Sequence, residues 1–191
     1  MPWLAAITAV TFATVLSVTG ADAAAPKDQS VHWTASADAK DARPYRLFDQ
    51  AVRITNDFAG RPTTQCLDVD ANGGGNGTKV QIWQCNGSTQ QRWYVWNDGR
   101  IESFRFPGKC LDADTNGGGA NGTKVQVWQC NGSTQQRWSH PAGDRALYNL
   151  RFYNNGNTVL DRDANVKGNG AKVQLWQKNY QSQQWWDVWT D

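Results

Sequence analysis

Aspartate, glutamine and tryptophan side chains recur together in this sequence. Asp68 is followed by Gln81, Trp83 and the pair Gln90 and Gln91. A carboxylate accepts hydrogen bonds from hydroxyl groups, an amide both donates and accepts, and an exposed indole offers a flat apolar surface. A pyranose presents an apolar face of C–H groups and a rim of hydroxyls, so this set of side chains is suited to binding a sugar. Such binding needs neither a metal nor a cofactor, and none is predicted.

The same set occurs three times along the chain. The first copy begins CLDVDANGGGNGTKVQIWQC at Cys66 and ends QQRW at Trp93. The second, Cys110 to Trp138, is nearly identical with one inserted residue, and the third, Val159 to Trp186, is more diverged. The candidate carbohydrate-binding residues are Asp68, Gln81, Trp83, Gln90, Gln91, Asp112, Gln126, Trp128, Gln135, Gln136, Asp161, Gln174, Trp176, Gln183 and Gln184.

The four cysteines follow the same repeat. Four cysteines allow three pairings. Of these, Cys66–Cys85 with Cys110–Cys130 is favoured, because it places one disulfide inside each of two equivalent copies. The third copy has Val159 and Lys178 at the corresponding positions. That copy is therefore expected to hold together by packing alone.

The tryptophans of each copy fall into two groups. In the segment from Thr78 to Cys85, strand alternation places Val80 and Ile82 on one face and Trp83 on the other. Trp83, Trp128 and Trp176 are therefore predicted to be exposed stacking surfaces. Trp93, Trp138 and Trp186 are predicted to lie in the core, because a tryptophan in a β-strand is more often a core residue than a stacking surface. On this assignment, Asp112→Ala and Trp128→Ala should each weaken sugar binding while leaving thermal stability nearly unchanged.

The segments that carry these residues alternate apolar and polar positions and are separated by glycine and asparagine clusters, without helical periodicity. Their repeat period of 45 to 48 residues, in three copies, predicts a three-fold arrangement. We therefore predict an all-β fold in which no copy has a core of its own. The three repeats are expected at about 45–96, 97–141 and 142–191.

The pattern Cys-Leu-Asp, then Gly-Thr-x-Val-Gln-x-Trp-x-Cys, then Gln-x-Trp resembles the ricin B-chain-type lectin domain, also classed as the family 13 carbohydrate-binding module. The resemblance covers about residues 45–191. It implies a β-trefoil of three pseudo-symmetric repeats, each with four strands and up to one shallow sugar site, and ligands that are galactosides or xylan-type polysaccharides. Family sites usually have Asn before the Gln-x-Trp glutamine. Gln90, Gln135 and Gln183 replace that Asn here, so one hydroxyl contact is expected to differ.

The N-terminal residues have the composition of an export signal. An apolar stretch from Trp3 to Val18 is followed by Ala21-Asp22-Ala23, which predicts a signal peptide over residues 1–23. The alternative is a short membrane anchor, but the stretch is shorter than the ~20 residues of a spanning helix. Residues 24–44 are predicted to be a flexible leader and 45–191 the lectin domain. Secretion to the extracellular space, without membrane association after cleavage, is expected.

Charge and spacing disfavour several other classes of function. The formal charge of +2 with dispersed Lys and Arg provides no basic stripe for nucleic acid. The two histidines and the cysteine spacings do not match a transition-metal site. Asp68-x-Asp70-x-Asn72-Gly73 matches the opening of a calcium loop, but Lys79 stands where such a loop requires Glu. Asp70 and Asn72 are therefore expected to form a hairpin turn.

These observations favour a secreted, non-catalytic and monomeric carbohydrate-binding protein whose partner is a polysaccharide or glycoconjugate. One alternative is a trefoil that binds a protein, as trefoil-shaped protease inhibitors do, or that acts as a targeting subunit. Another is a glycoside hydrolase with paired carboxylates. The hydrolase is disfavoured because the aspartates recur once per copy, on three separate faces of a three-fold molecule.

Overall fold

The computed structural model describes residues 30–35, 43–58, 64–153 and 157–190. The signal peptide predicted at 1–23 lies outside the described residues, as do 24–29 and 36–42 of the predicted leader. In the described part of the chain, no helix is long and apolar enough to cross a bilayer.

The described chain contains twelve β-strands, four from each repeat. The first four are β1 Val52–Asn56, β2 Gln65–Val69, β3 Thr78–Gln84 and β4 Arg92–Val95. The next four are β5 Ile101–Ser103, β6 Lys109–Ala113, β7 Thr123–Gln129 and β8 Trp138–Ser139. The last four are β9 Tyr148–Asn149, β10 Thr158–Arg162, β11 Ala171–Gln177 and β12 Trp186–Thr190. Short 3₁₀ turns lie at Thr89–Gln91, Thr115–Gly117, Thr134–Gln136 and Ser182–Gln184.

The three repeats have the same strand pairing. In each, the second and third strands form a hairpin in one register, with Leu67 opposite Ile82 in the first repeat. Strands β3, β7 and β11 each pair with the other two and form a closed triangle. Strand β12 pairs antiparallel with β1 over five residues, which joins the last repeat to the first. This architecture is the all-β, three-fold β-trefoil that the sequence predicts.

The core contains one face of each hairpin and one tryptophan from each repeat. Val80 and Ile82 are fully buried, as are their equivalents in β7 and β11 within about 2%. Trp93, Trp138 and Trp186 have no exposed surface. Their indole N–H groups donate to the carbonyls of Leu67, Leu111 and Leu160 at 3.1, 3.0 and 2.9 Å. The predicted core role of these three rings is confirmed.

An asparagine near the tip of each hairpin joins it to the next repeat. Each side-chain oxygen accepts the backbone N–H of the residue that ends the third strand of its neighbour. The pairs are Asn76 with Gln129 at 2.8 Å, Asn121 with Gln177 at 2.7 Å and Asn169 with Gln84 at 2.7 Å. Because the third bond returns to the first repeat, the contacts form a closed cycle.

The predicted disulfides are confirmed as Cys66–Cys85 and Cys110–Cys130. The third repeat is not held by packing alone, however, so that expectation is wrong. Lys178, at the position of the missing cysteine, donates from Nζ to the Asp144 carboxylate at 2.5 Å and to the Tyr148 hydroxyl at 2.6 Å. The Tyr148 hydroxyl itself donates to Asp144. An ion pair and hydrogen bonds thus connect the end of β11 to β9.

Residues 30–35 differ from the expected flexible leader. Trp33 is buried, and its backbone exchanges two hydrogen bonds of 2.8 Å with His140. Its indole N–H donates to the Trp138 carbonyl at 2.9 Å, and the Val31 amide donates to the Val188 carbonyl at 2.7 Å. Val31 and Trp33 bury apolar area against β8 and β12, which favours an ordered segment despite its polar neighbours.

Candidate functional site

Each hairpin carries one shallow, open pocket on the face opposite the core. Their volumes are about 370, 340 and 160 Å³ in the first, second and third repeat. Site 1 is lined by Asp68, Asp70, Ala71, Asn72, Gln81, Trp83, Asn86 and Gln90. Site 2 is lined by Asp112, Asp114, Thr115, Asn116, Gln126, Trp128 and Gln135. Site 3 is lined by Asp161, Asp163, Ala164, Asn165, Gln174, Trp176, Asn179 and Gln183.

A buried aspartate carboxylate forms the bottom of each site, and two glutamine amides hold it in place. These base aspartates are Asp68, Asp112 and Asp161. In site 1, Gln81 Nε2 donates to Asp68 Oδ1 and Gln91 Nε2 to Asp68 Oδ2, both at 3.2 Å. The corresponding distances are 3.4 and 3.0 Å at Asp112 and 3.0 and 3.0 Å at Asp161. Since a carboxylate has about four acceptor positions, each aspartate keeps capacity for further donors.

The second glutamine of each pair does not line its pocket. Gln91 is buried; its Nε2 also donates to the Gln84 carbonyl and its Oε1 accepts the Asn86 amide, both at 2.9 Å. Gln136 and Gln184 make the same contacts in their repeats. With their polar atoms engaged by the protein, these three residues position the aspartate from behind. The expectation that they contact a sugar directly is therefore not matched by their placement.

The structure brings the other sequence-predicted residues together at the pockets. Gln81, Gln126 and Gln174 lie beside the aspartates, and Gln90, Gln135 and Gln183 also line the pockets. Trp83 and Trp128 are each 38% exposed, and Trp176 is half-buried. Each indole lies on the face opposite the buried apolar residues of its own strand, as the alternation predicts.

Sequence reasoning missed the contribution of the hairpin turns to these pockets. Asp70 Oδ1 accepts the Asn72 backbone N–H at 3.0 Å, so the two residues form the expected turn. They also line site 1, and the equivalent residues line the other two sites. The recurring Asp-x-Asp-x-Asn pattern was the available signal, because it places the turn directly after the base aspartate. Asn86 and Asn179 were likewise not identified as lining residues.

Burial raises the pKa of all three base aspartates. It is the largest influence at Asp68 and Asp112, where the glutamine hydrogen bonds oppose it and Asp70 or Asp114 adds to it. At Asp161, burial raises the pKa to about 6, again against hydrogen bonds from Gln174 and Gln184. Site 3 is also the smallest pocket, and Gln174 Oε1 is buried there without a hydrogen-bond partner.

Among the residues the structure describes, no group of three or more His, Cys, Asp or Glu side chains is placed to hold a metal ion. The polar groups of the pockets are carboxylates and amides, with the Thr115 hydroxyl in site 2 and one aromatic ring in each pocket. The hydrogen-bonding capacity of these groups suits hydroxyl-rich ligands.

A β-trefoil with one such pocket on each of its three hairpins belongs to the class of sugar-binding trefoil domains. The chain matches the family model of the ricin-type beta-trefoil lectin domain over residues 52–186. It is a member of that family. The resemblance stated from the sequence is thereby confirmed, and family membership supports carbohydrate binding in general.

Individual proteins show the same relationship. Serine protease 1 of Rarobacter faecitabidus is 33% identical over 60 residues, which are 31% of this chain and 11% of the protease. This chain thus matches only about a tenth of that relative's length. The β-trefoil lectin of the Vibrio vulnificus hemolysin/cytolysin, solved with N-acetyl-D-lactosamine bound, has 25% identity and a TM-score of 0.57, covering 75% of this chain and 97% of its own.

The designed three-fold symmetric protein ThreeFoil has a TM-score of 0.62 and 20% identity, covering 75% of this chain and all of that one. That likeness shows the fold alone. It is consistent with the three equivalent strand groups described above.

Proposed function

We propose that this protein is a secreted, non-catalytic lectin that binds galactoside or xylan-type units of polysaccharides or glycoconjugates through three shallow sites. The observation that carries the proposal is the repeated pairing of a buried carboxylate, held by two glutamine amides, with an indole in the same pocket that is exposed in sites 1 and 2 and half-buried in site 3. The galactoside option is supported by the N-acetyl-D-lactosamine bound to the Vibrio vulnificus lectin.

Binding follows from the positions of the groups in site 1. The C–H face of a pyranose packs on the Trp83 ring, and neighbouring hydroxyls donate to the fixed Asp68 carboxylate. The Gln90 amide, which lines the same pocket, is available to a further hydroxyl. The glutamine contacts hold the Asp68 acceptors in place before the sugar arrives, which lowers the ordering cost of binding. A shallow pocket still excludes little water, so each site is expected to bind weakly.

The absence of catalysis is part of the proposal. Asp68 and Asp70 are the two carboxylates that line site 1. One is held by glutamine amides and the other accepts hydrogen bonds from Asn72 within a turn. Both therefore have structural roles that account for their positions. We expect no release of reducing sugar from any polysaccharide that the protein binds, and a reducing-sugar assay tests this.

Secretion is supported by the N-terminal composition and by the two disulfides, which form and persist in oxidising compartments. The corresponding test is N-terminal sequencing of protein recovered from the culture medium of an expressing cell. We expect a start after Ala23. A start at Met1 in the cell pellet would contradict export.

The binding test uses tryptophan substitutions on a glycan array and on immobilised galactan and xylan. We expect the triple variant Trp83→Ala, Trp128→Ala, Trp176→Ala to lose retention that the unsubstituted protein shows and that free sugar releases. Trp185→Ala is the matched control, because Trp185 is also 38% exposed but lines none of the three sites. Retention of the triple variant, or binding that no free sugar competes, would overturn the proposal.

A further inference from the structure

The third repeat departs from the other two at a residue next to its pocket. Tyr180 stands where repeats 1 and 2 have Gly87 and Gly132, and all three have a left-handed backbone, with φ of 61°, 75° and 73°. Glycine adopts this conformation without strain, whereas a residue with a side chain does so at a cost in free energy. Besides Asn157, Tyr180 is the only residue other than glycine with positive φ in the described ranges.

Burial does not offset this strain. The Tyr180 side chain is 69% exposed, the largest fraction among the exposed large hydrophobic residues. Its ring lies 4.6 Å from Lys178 Nζ, but that ammonium group is already bound by Asp144 and Tyr148. Strained residues of this kind cluster at functional sites. A strained and solvent-exposed aromatic ring therefore points to a ligand.

Tyr180 lies next to site 3 in the chain. Asn179 and Gln183, on either side of Tyr180 in the chain, both line that pocket. The strand register places Trp176 opposite Val159 in β10 and Val159 opposite Tyr148 in β9, with Val159 itself buried. Residues directly opposite each other share one face of a sheet. Tyr148 thus lies two strand spacings from Trp176, at ~4.8 Å each.

Two further features make this surface an aromatic one. Tyr153 is 46% exposed, and its ring meets Tyr148 edge-on with 5.3 Å between centroids. At the register position of Tyr148, repeats 1 and 2 have Thr55 and Glu102. The Lys178 charge is balanced by Asp144, so this ion pair adds no net charge beside Tyr180. These properties fit an uncharged sugar better than a charged ligand.

We propose that Tyr180 forms an aromatic subsite that stacks the second sugar unit of an oligosaccharide whose first unit occupies site 3. This inference rests on the proposed lectin function and deepens it. Sites 1 and 2 have glycine at this position and bind a single unit. The third repeat therefore distinguishes oligosaccharides from monosaccharides, a selectivity that its smaller pocket alone does not provide.

The test isolates site 3 in a Trp83→Ala, Trp128→Ala background and measures affinity by calorimetry. The probes are galactose with N-acetyl-D-lactosamine and xylose with xylotriose. We expect Tyr180→Gly to weaken binding of the longer sugar by about 2- to 12-fold, the equivalent of one aromatic contact, and to leave the monosaccharide affinity within about two-fold. Tyr180→Phe keeps the ring and should retain the preference for the longer sugar.

Stability measurements separate this role from a structural one. Because glycine is unstrained at this φ, Tyr180→Gly should raise the melting temperature while it weakens oligosaccharide binding. Tyr45→Ala, which removes a ring that is 60% exposed and lines none of the three sites, is the control.

Three results would overturn the subsite. They are an equal loss for short and long sugars in Tyr180→Gly, no loss for either, and no preference for the longer sugar before substitution. Each of these leaves the proposed lectin function intact. If the unsubstituted protein binds none of the four sugars and no glycan on an array, the lectin function is overturned and the subsite with it.

Discussion

At the scale of single residues, the base aspartates place a charged acceptor in a buried position. Burial of Asp112 raises the pKa of its carboxyl, which means that the fold disfavours the charged form. Gln126 and Gln136 partly compensate by donating hydrogen bonds to the two oxygens. The site thus retains a fixed acceptor at some cost in stability, an arrangement expected where binding rather than folding requires the charge.

This arrangement changes the expectation for substitutions at site 2. Asp112→Ala removes the acceptor of two buried amides, so it should lower the free energy of unfolding by about 1–3 kcal/mol as well as abolish binding at site 2. Trp128→Ala should abolish binding at site 2 with a stability change within about 0.5 kcal/mol, because the ring is 38% exposed on the solvent-facing side of β7. Urea unfolding and calorimetry of both variants check this. Asp112→Asn keeps one oxygen acceptor and should be less destabilised; equal stability losses in all three would contradict the assignment.

Asp161 predicts a dependence of binding on pH that is specific to site 3. Its pKa in the folded protein is about 6, so below that pH the carboxyl is protonated and loses acceptor capacity. Site 3 should therefore lose sugar affinity as the pH falls through about 6, while sites 1 and 2 retain theirs to lower pH. Calorimetry between pH 4.5 and 8, on variants that each keep a single site, measures this. In Asp161→Asn, whatever affinity remains should not change with pH.

The same pKa has the opposite effect on stability. Since the folded-state pKa of Asp161 lies above the ordinary value of 3.8, the folded protein binds this proton more tightly than the unfolded chain. The contribution of Asp161 favours the folded state at low pH and is lost as the pH rises through about 6. A loss of site 3 affinity at pH 5 is therefore expected without unfolding, and circular dichroism at each pH separates the two.

At the scale of elements, the hairpins use two different crosslinks. Hairpins β2–β3 and β6–β7 each have a disulfide, whereas the end of β11 is joined to β9 through Lys178 and Asp144. A disulfide acts whatever the pH and salt but requires oxidation. The ion pair has the reverse dependence, since it needs no oxidant but is weakened by added salt.

Reduction should therefore affect the repeats unequally. On the chain-entropy model each disulfide loop is worth about 3 kcal/mol, so reduced protein should show faster amide hydrogen exchange in residues 66–85 and 110–130. Residues 158–178 should change least. Lys178→Met in oxidised protein should give the reverse pattern. Equal acceleration in all three hairpins under either treatment would show that the crosslinks act on the whole molecule.

Much of this element structure could be predicted from the sequence because local rules determine it. The period-2 alternation of Val80, Ile82 and Trp83 assigns the faces of β3, and the repeat itself implies the three-fold fold. The role of Gln91 could not be predicted, because its contacts with Asp68 and Asn86 depend on tertiary placement. The burial of Trp33 could not be predicted for the same reason. Its hydrogen-bond partner Trp138 lies 105 residues away, and the composition of the segment around Trp33 does not indicate that contact.

At the scale of the whole molecule, the three sites lie on three hairpins related by the pseudo-three-fold arrangement. Each hairpin presents its pocket away from the shared core, so the sites face different directions. On the proposed function, a branched or long polysaccharide that spans two sites would bind at both, whereas a monosaccharide would occupy one at a time. Linked binding events of this kind raise avidity by about 10²–10⁴ when the geometry allows simultaneous contact.

Loss of one site should therefore weaken polysaccharide binding far more than monosaccharide binding. We expect Trp128→Ala to reduce retention on immobilised polysaccharide by about ten-fold or more, while the monosaccharide titration changes mainly in the number of binding sites. Surface plasmon resonance on a dense polysaccharide surface, compared with calorimetry, gives both quantities. Equal decreases in polysaccharide retention and in monosaccharide binding would mean that the sites do not bind one polysaccharide molecule together.

The cycle of asparagine hydrogen bonds and the pairing of β1 with β12 make the three repeats a closed ring. The fold therefore does not depend on the point at which this ring of repeats is opened. The Ser30 hydroxyl accepts the Val188 amide at 2.9 Å, so the first and last described segments are already adjacent. A circular permutant that joins these segments through a short linker and opens at the exposed turn before Gly143 would retain the pockets while altering which repeat is synthesised first.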